Sequence, residues 1–174
     1  WFHQWLLVYN FISYYYIIKN QMQLKLRVIL NVKEDVLRDI ITVSDISLIE
    51  FNKILFNVFG FETQEISTFF LTNDNWEQLD EIKIFKIDEN DDIMDNTPIS
   101  NFLNLKNDKI IYVYDFLNYW TFFIEVYDIQ EDIKMDKKYE ILNSIGDVPK
   151  DPPSNIFGTN DDLDETNLDD NLQY

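Results

Sequence analysis

The stretch DKIIYVYDFLNYWTFFIEVYDI, residues 108–129, leaves this chain few ways to fold. Successive side chains of an extended strand point to opposite sides of its sheet. On that pattern Ile110, Tyr112, Tyr114 and Phe116 share one face of a first arm, with Ile111, Val113 and Asp115 on the other. In a second arm Trp120, Phe122, Ile124 and Val126 lie opposite Tyr119, Thr121, Phe123, Glu125 and Tyr127. Both faces are apolar apart from Asp115 and Glu125, so the arms read as central strands covered on both sides. The density of β-branched and aromatic residues favours strand over the rival helix. The chain folds back at residues 116–119. Asn118 tolerates a left-handed backbone and Leu117 does not, which predicts a three-residue loop with Asn118 left-handed, not a two-residue primed turn.

The flanking sequence supplies partners for these strands. Residues 22–43 predict a hairpin, with Leu24, Leu26, Val28 and Leu30 inward, Gln23, Lys25 and Arg27 outward, and a polar turn at Lys33, Glu34 and Asp35. Residues 44–60 predict the main helix. Ser47 and Glu50 have capping-box spacing, and Gly60 stands where a left-handed C-cap is wanted. Leu48, Phe51, Leu55, Val58 and Phe59, with Ile54 beside them, form a stripe that reads as packing, not as a cofactor box. Residues 63–72 predict a strand carrying Ile66, Phe69 and Leu71, followed by a turn at Asn73, Asp74 and Asn75 and then Trp76. A second strand is expected at 81–87, an acidic loop at 88–96, and a short apolar helix opened by Pro98. Residues 133–144 read as a connecting segment or short helix, and Gly146, Pro149, Pro152 and Pro153 predict extended, irregular chain. The sum is an α+β fold, a mixed, mostly antiparallel sheet packing one main helix.

The two ends read differently from the middle. Residues 1–21 are aromatic without a clear period, and Gln4, Asn10, Ser13 and the tyrosines interrupt them. A span needs about 20 mainly apolar residues, and a signal peptide a basic start. Met22 is followed at once by a clean strand, so the expectation is that 1–21 are upstream sequence translated in frame. An interfacial anchor or a true N-terminal strand is the alternative. Residues 159–174 carry Asp161, Asp162, Asp164, Glu165, Asp169 and Asp170 with no Lys or Arg, which reads as a disordered acidic tail. A calcium loop, the sharper alternative, lacks the required Gly and Glu positions. The domain proper is then residues 22–158, with no membrane segment in a chain begun at Met22.

Composition removes most chemistries. A formal net charge of -18 repels phosphate backbones and argues against direct contact with nucleic acid, while a basic or uncharged partner is acceptable. The absence of cysteine excludes disulfides, thiol catalysis and cysteine metal sites, and fits a cytoplasmic protein. His3 is the single histidine and lies in the leader, so a chain begun at Met22 has no serine–histidine catalysis and no histidine-ligated zinc. Three glycines form no phosphate-binding loop, and no cofactor or metal motif is present. Paired carboxylates remain, with Asp115 and Glu125 the least arbitrary choice because each interrupts an apolar face. Buried carboxylates need partners. In the plainer alternative both sit at the sheet end and hydrogen-bond a turn. Trp76 and Trp120 either line a groove or fill the core. The candidate ligand- or partner-binding residues are therefore Asp74, Trp76, Asp115, Trp120 and Glu125.

Three segments carry a resemblance. QLKLRVILNVKEDVLRDIITVSDISLIEFNKILFNVFGF, FFLTNDNWEQ and IIYVYDFLNYWTFFIEV, in this order, resemble the plasmid pRiA4b ORF-3-like family over about residues 22–158. That family occurs on plasmids, as passengers in some insertion elements, and on bacterial chromosomes. Residues 74–77 and 112–120 are its strongest matches. Leu117 and Asn118 stand where the family commonly has Gly-Asp, and its later Cys- and Gly-rich segment is shortened here to something like residues 144–149. The resemblance implies an α+β domain of unknown biochemical function whose hairpin-then-helix opening is similar to ubiquitin-like folds. Three functions follow as expectations: a non-enzymatic binding or adaptor module for a protein or small molecule; an accessory of mobile-element or nucleic-acid machinery acting indirectly; and a carboxylate-based hydrolase.

Overall fold

The computed structural model describes residues 22–131 and 135–152. Residues 1–21 and the acidic tail lie outside the described residues, and so does the question of what each does.

The described chain begins with the expected hairpin. β1 (Gln23–Leu30) pairs antiparallel with β2 (Leu37–Val43), and Leu30 N–H donates to Val36 O at 2.9 Å to close the turn. Leu24, Leu26, Val28 and Leu30 are buried as predicted. Gln23, predicted to face outward, is buried too, because β1 is an interior strand flanked on both sides at that position. Arg27 and Asp39 face each other across this hairpin through two hydrogen bonds of 2.8 and 2.9 Å, and Asp39 is buried.

The helix α1 (Leu48–Phe59) is built as its sequence specifies. Ser47 is extended at the N-cap and its Oγ accepts from Glu50 N–H at 3.3 Å, while the Glu50 carboxylate accepts from Ser47 N–H at 3.4 Å. Gly60 ends it in the left-handed region at φ 71°. Phe51, Leu55 and Phe59 lie on the buried stripe, with Phe51 stacked on Phe69 at 5.8 Å and Phe59 edge-on to Phe122 at 4.7 Å.

β3 (Ser67–Thr72) and β4 (Gln78–Lys83) follow, then a 3₁₀ turn at Ile99–Asn101 after Pro98, then β5 (Lys109–Tyr114), β6 (Trp120–Gln130) and β7 (Tyr139–Ile145). They form one seven-stranded sheet in the order β4-β3-β5-β6-β1-β2-β7. Every pairing in it is antiparallel, which corrects the expected mixed sheet while keeping the α+β class. The hairpin-then-helix order is present, but β1 has β6 as its antiparallel second neighbour, and the order alone does not establish a ubiquitin-like beginning. β4 starts earlier than the predicted 81–87. β7 replaces the predicted connecting segment or helix. Its apolar residues Ile141, Leu142 and Ile145 are all exposed, so this edge strand leaves no alternation to read.

The central hairpin stands with a different turn. Tyr114 and Trp120 are the last pair, and residues 115–119 form the loop. The left-handed residues are Asp115 (φ 59°) and Tyr119 (φ 54°), not Asn118. The Asp115 side chain explains this: its Oδ1 accepts from the N–H groups of Leu117 and Asn118 at 3.0 and 3.3 Å, an aspartate-capped turn.

One face of the sheet packs α1. Tyr112, Phe122, Ile124 and Val126 are among its most buried residues. Within this core Asn52 Oδ1 accepts from both Ser67 Oγ (2.7 Å) and Tyr112 OH (2.6 Å). Burial pushes the Tyr112 phenol far above its usual range. On the other face Ile111 and Val113 are also buried, so the central strands are covered on both sides. What covers that second face shapes the candidate site.

Candidate functional site: an aromatic cleft on the sheet face away from the helix

The far face of the central strands carries a cleft of about 830 Å³. Ile111, Thr121 and Phe123 form its floor, Trp76, Gln78 and Tyr119 one side, and the β1–β2 turn the other. The turn is tied down by Asn31 N–H, which donates to Thr121 O at 2.8 Å. The segment after β7 supplies the last wall through Pro149, Asp151 and Pro152.

Local turns place the rings. Asn73 Oδ1 accepts from Asn75 and Glu77 N–H at 3.0 and 3.2 Å, while Asn73 O accepts from Trp76 N–H at 3.1 Å. This loop forces Trp76 into the left-handed region at φ 62°. Its indole lies 5.0 Å from the Phe123 ring, tilted by 53°. Lys109 Nζ stands 5.1 Å from the indole centroid and 3.5 Å from Asp74 Oδ1. Tyr119, left-handed at the end of the other turn, donates its OH to Gln78 Oε1 at 3.2 Å. A bulky residue at positive φ is an outlier that costs about 1–3 kcal/mol, and such strain collects at functional sites. Of four non-glycine residues at positive φ among those described, the two large aromatics both line this cleft.

The sequence-predicted residues separate on this frame. Trp76 is in the cleft, whereas Asp74 has a fully exposed side chain and does not line it. Asp115 is spent on its own turn, where it sets up Tyr119. Trp120 faces the opposite side, 6% exposed in the core and edge-on to Phe61 at 5.7 Å. Glu125 is half-buried on β6 beside Arg27 and Lys109. Asp115 adjoins the Tyr114–Trp120 pair and Glu125 belongs to the Lys109 pair at the other end of the β5–β6 ladder. At strand spacing that is about 17 Å, beyond the separation of a paired-carboxylate site. Neither lines the cleft. The residues missed, Tyr119, Thr121 and Phe123, had a signal: they alternate on the strand face opposite Trp120.

The arrangement sets aromatic rings among polar and charged side chains, Asn31, Lys33, Glu34, Gln78, Thr121 and Asp151, which suits noncovalent capture. Among the described residues no three His, Cys, Asp or Glu side chains are placed to hold a metal, and no helix is long and apolar enough to cross a membrane.

No curated protein matches the chain. A solved structure, a protein of unknown function named MM3350 from Methanosarcina mazei Go1, is similar with a TM-score of 0.60 and 18% identity over 76% of each chain, a likeness of fold. The profile of the plasmid pRiA4b ORF-3-like proteins matches residues 20–169, nearly the whole chain and all of the sheet that carries the cleft. The chain therefore belongs to the plasmid pRiA4b ORF-3-like family.

Proposed function

We propose that the protein is a non-enzymatic binding module whose ligand, a protein segment or a small molecule, enters the cleft over Trp76 and Phe123. The observation that carries this is the convergence of two strained aromatics, Trp76 and Tyr119, on one cleft of binding-site size. Strain at two left-handed aromatics beside one cleft is the kind of cost that collects at functional sites. Polar groups of Asn31 and Gln78 at the side and Thr121 in the floor give a bound ligand its orientation. The family's plasmid setting suggests work beside mobile-element machinery, and a net charge of -18 directs that contact to protein and not to nucleic acid.

A fragment screen read by amide NMR tests the reading. Hits are expected to shift Asn31, Gln78, Tyr119 and Thr121 together, and to lose binding in Phe123→Ala but not in Lys53→Ala on the far side of the molecule. Hits that leave those four amides unmoved would overturn it.

A further inference from the structure

The cleft has a wall made by its own chain, and that wall is proline-rich. Gly146 turns in the left-handed region at φ 69°, so close to the β1–β2 turn that a Cβ there would stand 2.1 Å from Asp35 O. The turn sends residues 147–152, Asp-Val-Pro-Lys-Asp-Pro, along the aromatic face, where Pro149 and Pro152 border the same space as Trp76, Tyr119 and Phe123. Val148 packs against the core and Pro149 is half-buried, while the other four residues are exposed. Among the described residues, no hydrogen bond or ion pair fastens this strap to the sheet. A proline-containing segment of the chain's own thus already borders this aromatic surface, with Val148 as its anchor in the core.

Extended proline-containing chain suits such a surface. Its backbone is pre-ordered, so binding orders little more of it, and its rings pack on aromatic faces while its carbonyls seek donors. Donors are present: the Gln78 amide, whose oxygen is engaged by Tyr119 OH, and the exposed Asn31 side chain. Charge adds direction. The lining holds Lys33 against Glu34 and Asp151, Asp74 beside the Trp76 loop is matched by Lys109, and the chain as a whole carries -18. Cations are drawn to such a site and anions repelled.

We propose that the cleft binds an extended, proline-containing, basic segment of a partner protein, laid over Trp76, Tyr119 and Phe123 in the space that the 149–152 strap partly fills. This rests on the binding-module reading above and names its ligand class.

The experiment titrates the full chain with three short peptides, repeats of Pro-Pro-Lys, Pro-Pro-Glu and Gly-Gly-Lys, followed by amide and indole NMR. Pro-Pro-Lys is expected to shift the Trp76 indole N–H together with Asn31, Gln78 and Tyr119. The other two should bind at least about tenfold more weakly. Pro-Pro-Lys affinity should fall with added salt and fall again in Phe123→Leu, a change mild enough to keep the fold. Replacing Pro149 and Pro152 by Gly should strengthen binding by loosening the strap. Equal binding of Gly-Gly-Lys, or shifts confined to other surfaces, would overturn the proposal. Cleft-binding fragments with no response to Pro-Pro-Lys would end this inference and leave the binding module standing, while a cleft that takes neither fragment nor peptide would end both.

Discussion

The Trp76 indole is held between two neighbours of different kinds, the Phe123 ring at 5.0 Å and the Lys109 ammonium at 5.1 Å. The lysine also reaches Asp74, but at 3.5 Å and with the aspartate fully exposed, a geometry worth little. The ring contact should therefore matter more than the ion pair. Lys109→Met, which keeps the stem and removes the charge, is expected to cost about 0.5–1 kcal/mol in urea denaturation. Asp74→Ala should leave the midpoint unchanged. If Asp74→Ala proved the more damaging of the two, the loop and not the ring would be holding Lys109.

Asn52 is the polar centre of the core. Its Oδ1 takes hydrogen bonds from both Ser67 and Tyr112, from a different element in each case. Tyr112→Phe removes one donor and leaves the other bond in place, so a loss of about 1 kcal/mol is expected. Asn52→Leu strands two buried hydroxyls and should cost about 3 kcal/mol. Denaturant midpoints of the two variants give the comparison, and equal losses would show that Ser67 finds another acceptor.

Two glycines share a backbone conformation but not a setting. Gly60 (φ 71°) has open space where a Cβ would point, whereas at Gly146 (φ 69°) the Cβ would strike Asp35 O. Gly60→Ala is expected to cost about 1 kcal/mol, the left-handed penalty alone. Gly146→Ala should cost at least about 2 kcal/mol more, and should shift the strap and the cleft amides with it. Thermal melts and amide spectra of the pair separate strain from collision.

Asp91 gives the fold an acid-sensitive loop. It accepts from the Lys83 ammonium and from Ile87 and Asp88 N–H at 3.0 and 2.8 Å, and these partners hold its carboxyl down at about 2. A carboxyl lowered on folding stabilises the folded state above its unfolded pKa of about 3.9. That contribution fades as pH falls from about 4 towards about 2. A carboxyl-carbon titration should find the Asp91 midpoint at about 2. Asp91→Asn should flatten this part of the stability–pH curve.

The sequence spoke most clearly where chemistry is local. Ser47, Glu50 and Gly60 specify the helix ends without help from the rest of the chain, and the Leu24–Leu30 alternation defines β1 against any partner. β7 was illegible because Ile141, Leu142 and Ile145 are exposed at a sheet edge, so burial imposed no period on them. The cleft was half legible. Strand alternation sets Trp120 on the helix-facing side of β6, while Trp76 stands in a loop that alternation does not reach. The left-handed turns of Trp76 and Tyr119 depend on hydrogen bonds to Asn73 and Asp115 and on the strand ends that frame each loop, which no propensity scale contains. The strap's place beside them is set by Gly146 meeting Asp35, a contact between segments far apart in the chain.

The position of β1 has a consequence for how the protein comes into being. The first described strand is central in the sheet, and its partner on one side is β6, where Lys25 meets Asp128 103 positions later. At ribosomal speed that partner emerges roughly 5–20 s after β1 itself. Until then the β1–β2 hairpin presents a bare inner edge to the cell, with only the outward charges of Lys25 and Arg27 to discourage the wrong strand from adding to it. Completion of the sheet's middle thus waits on β6, and a chain stopped before residue 120 would carry a central strand with nothing to pair on that side.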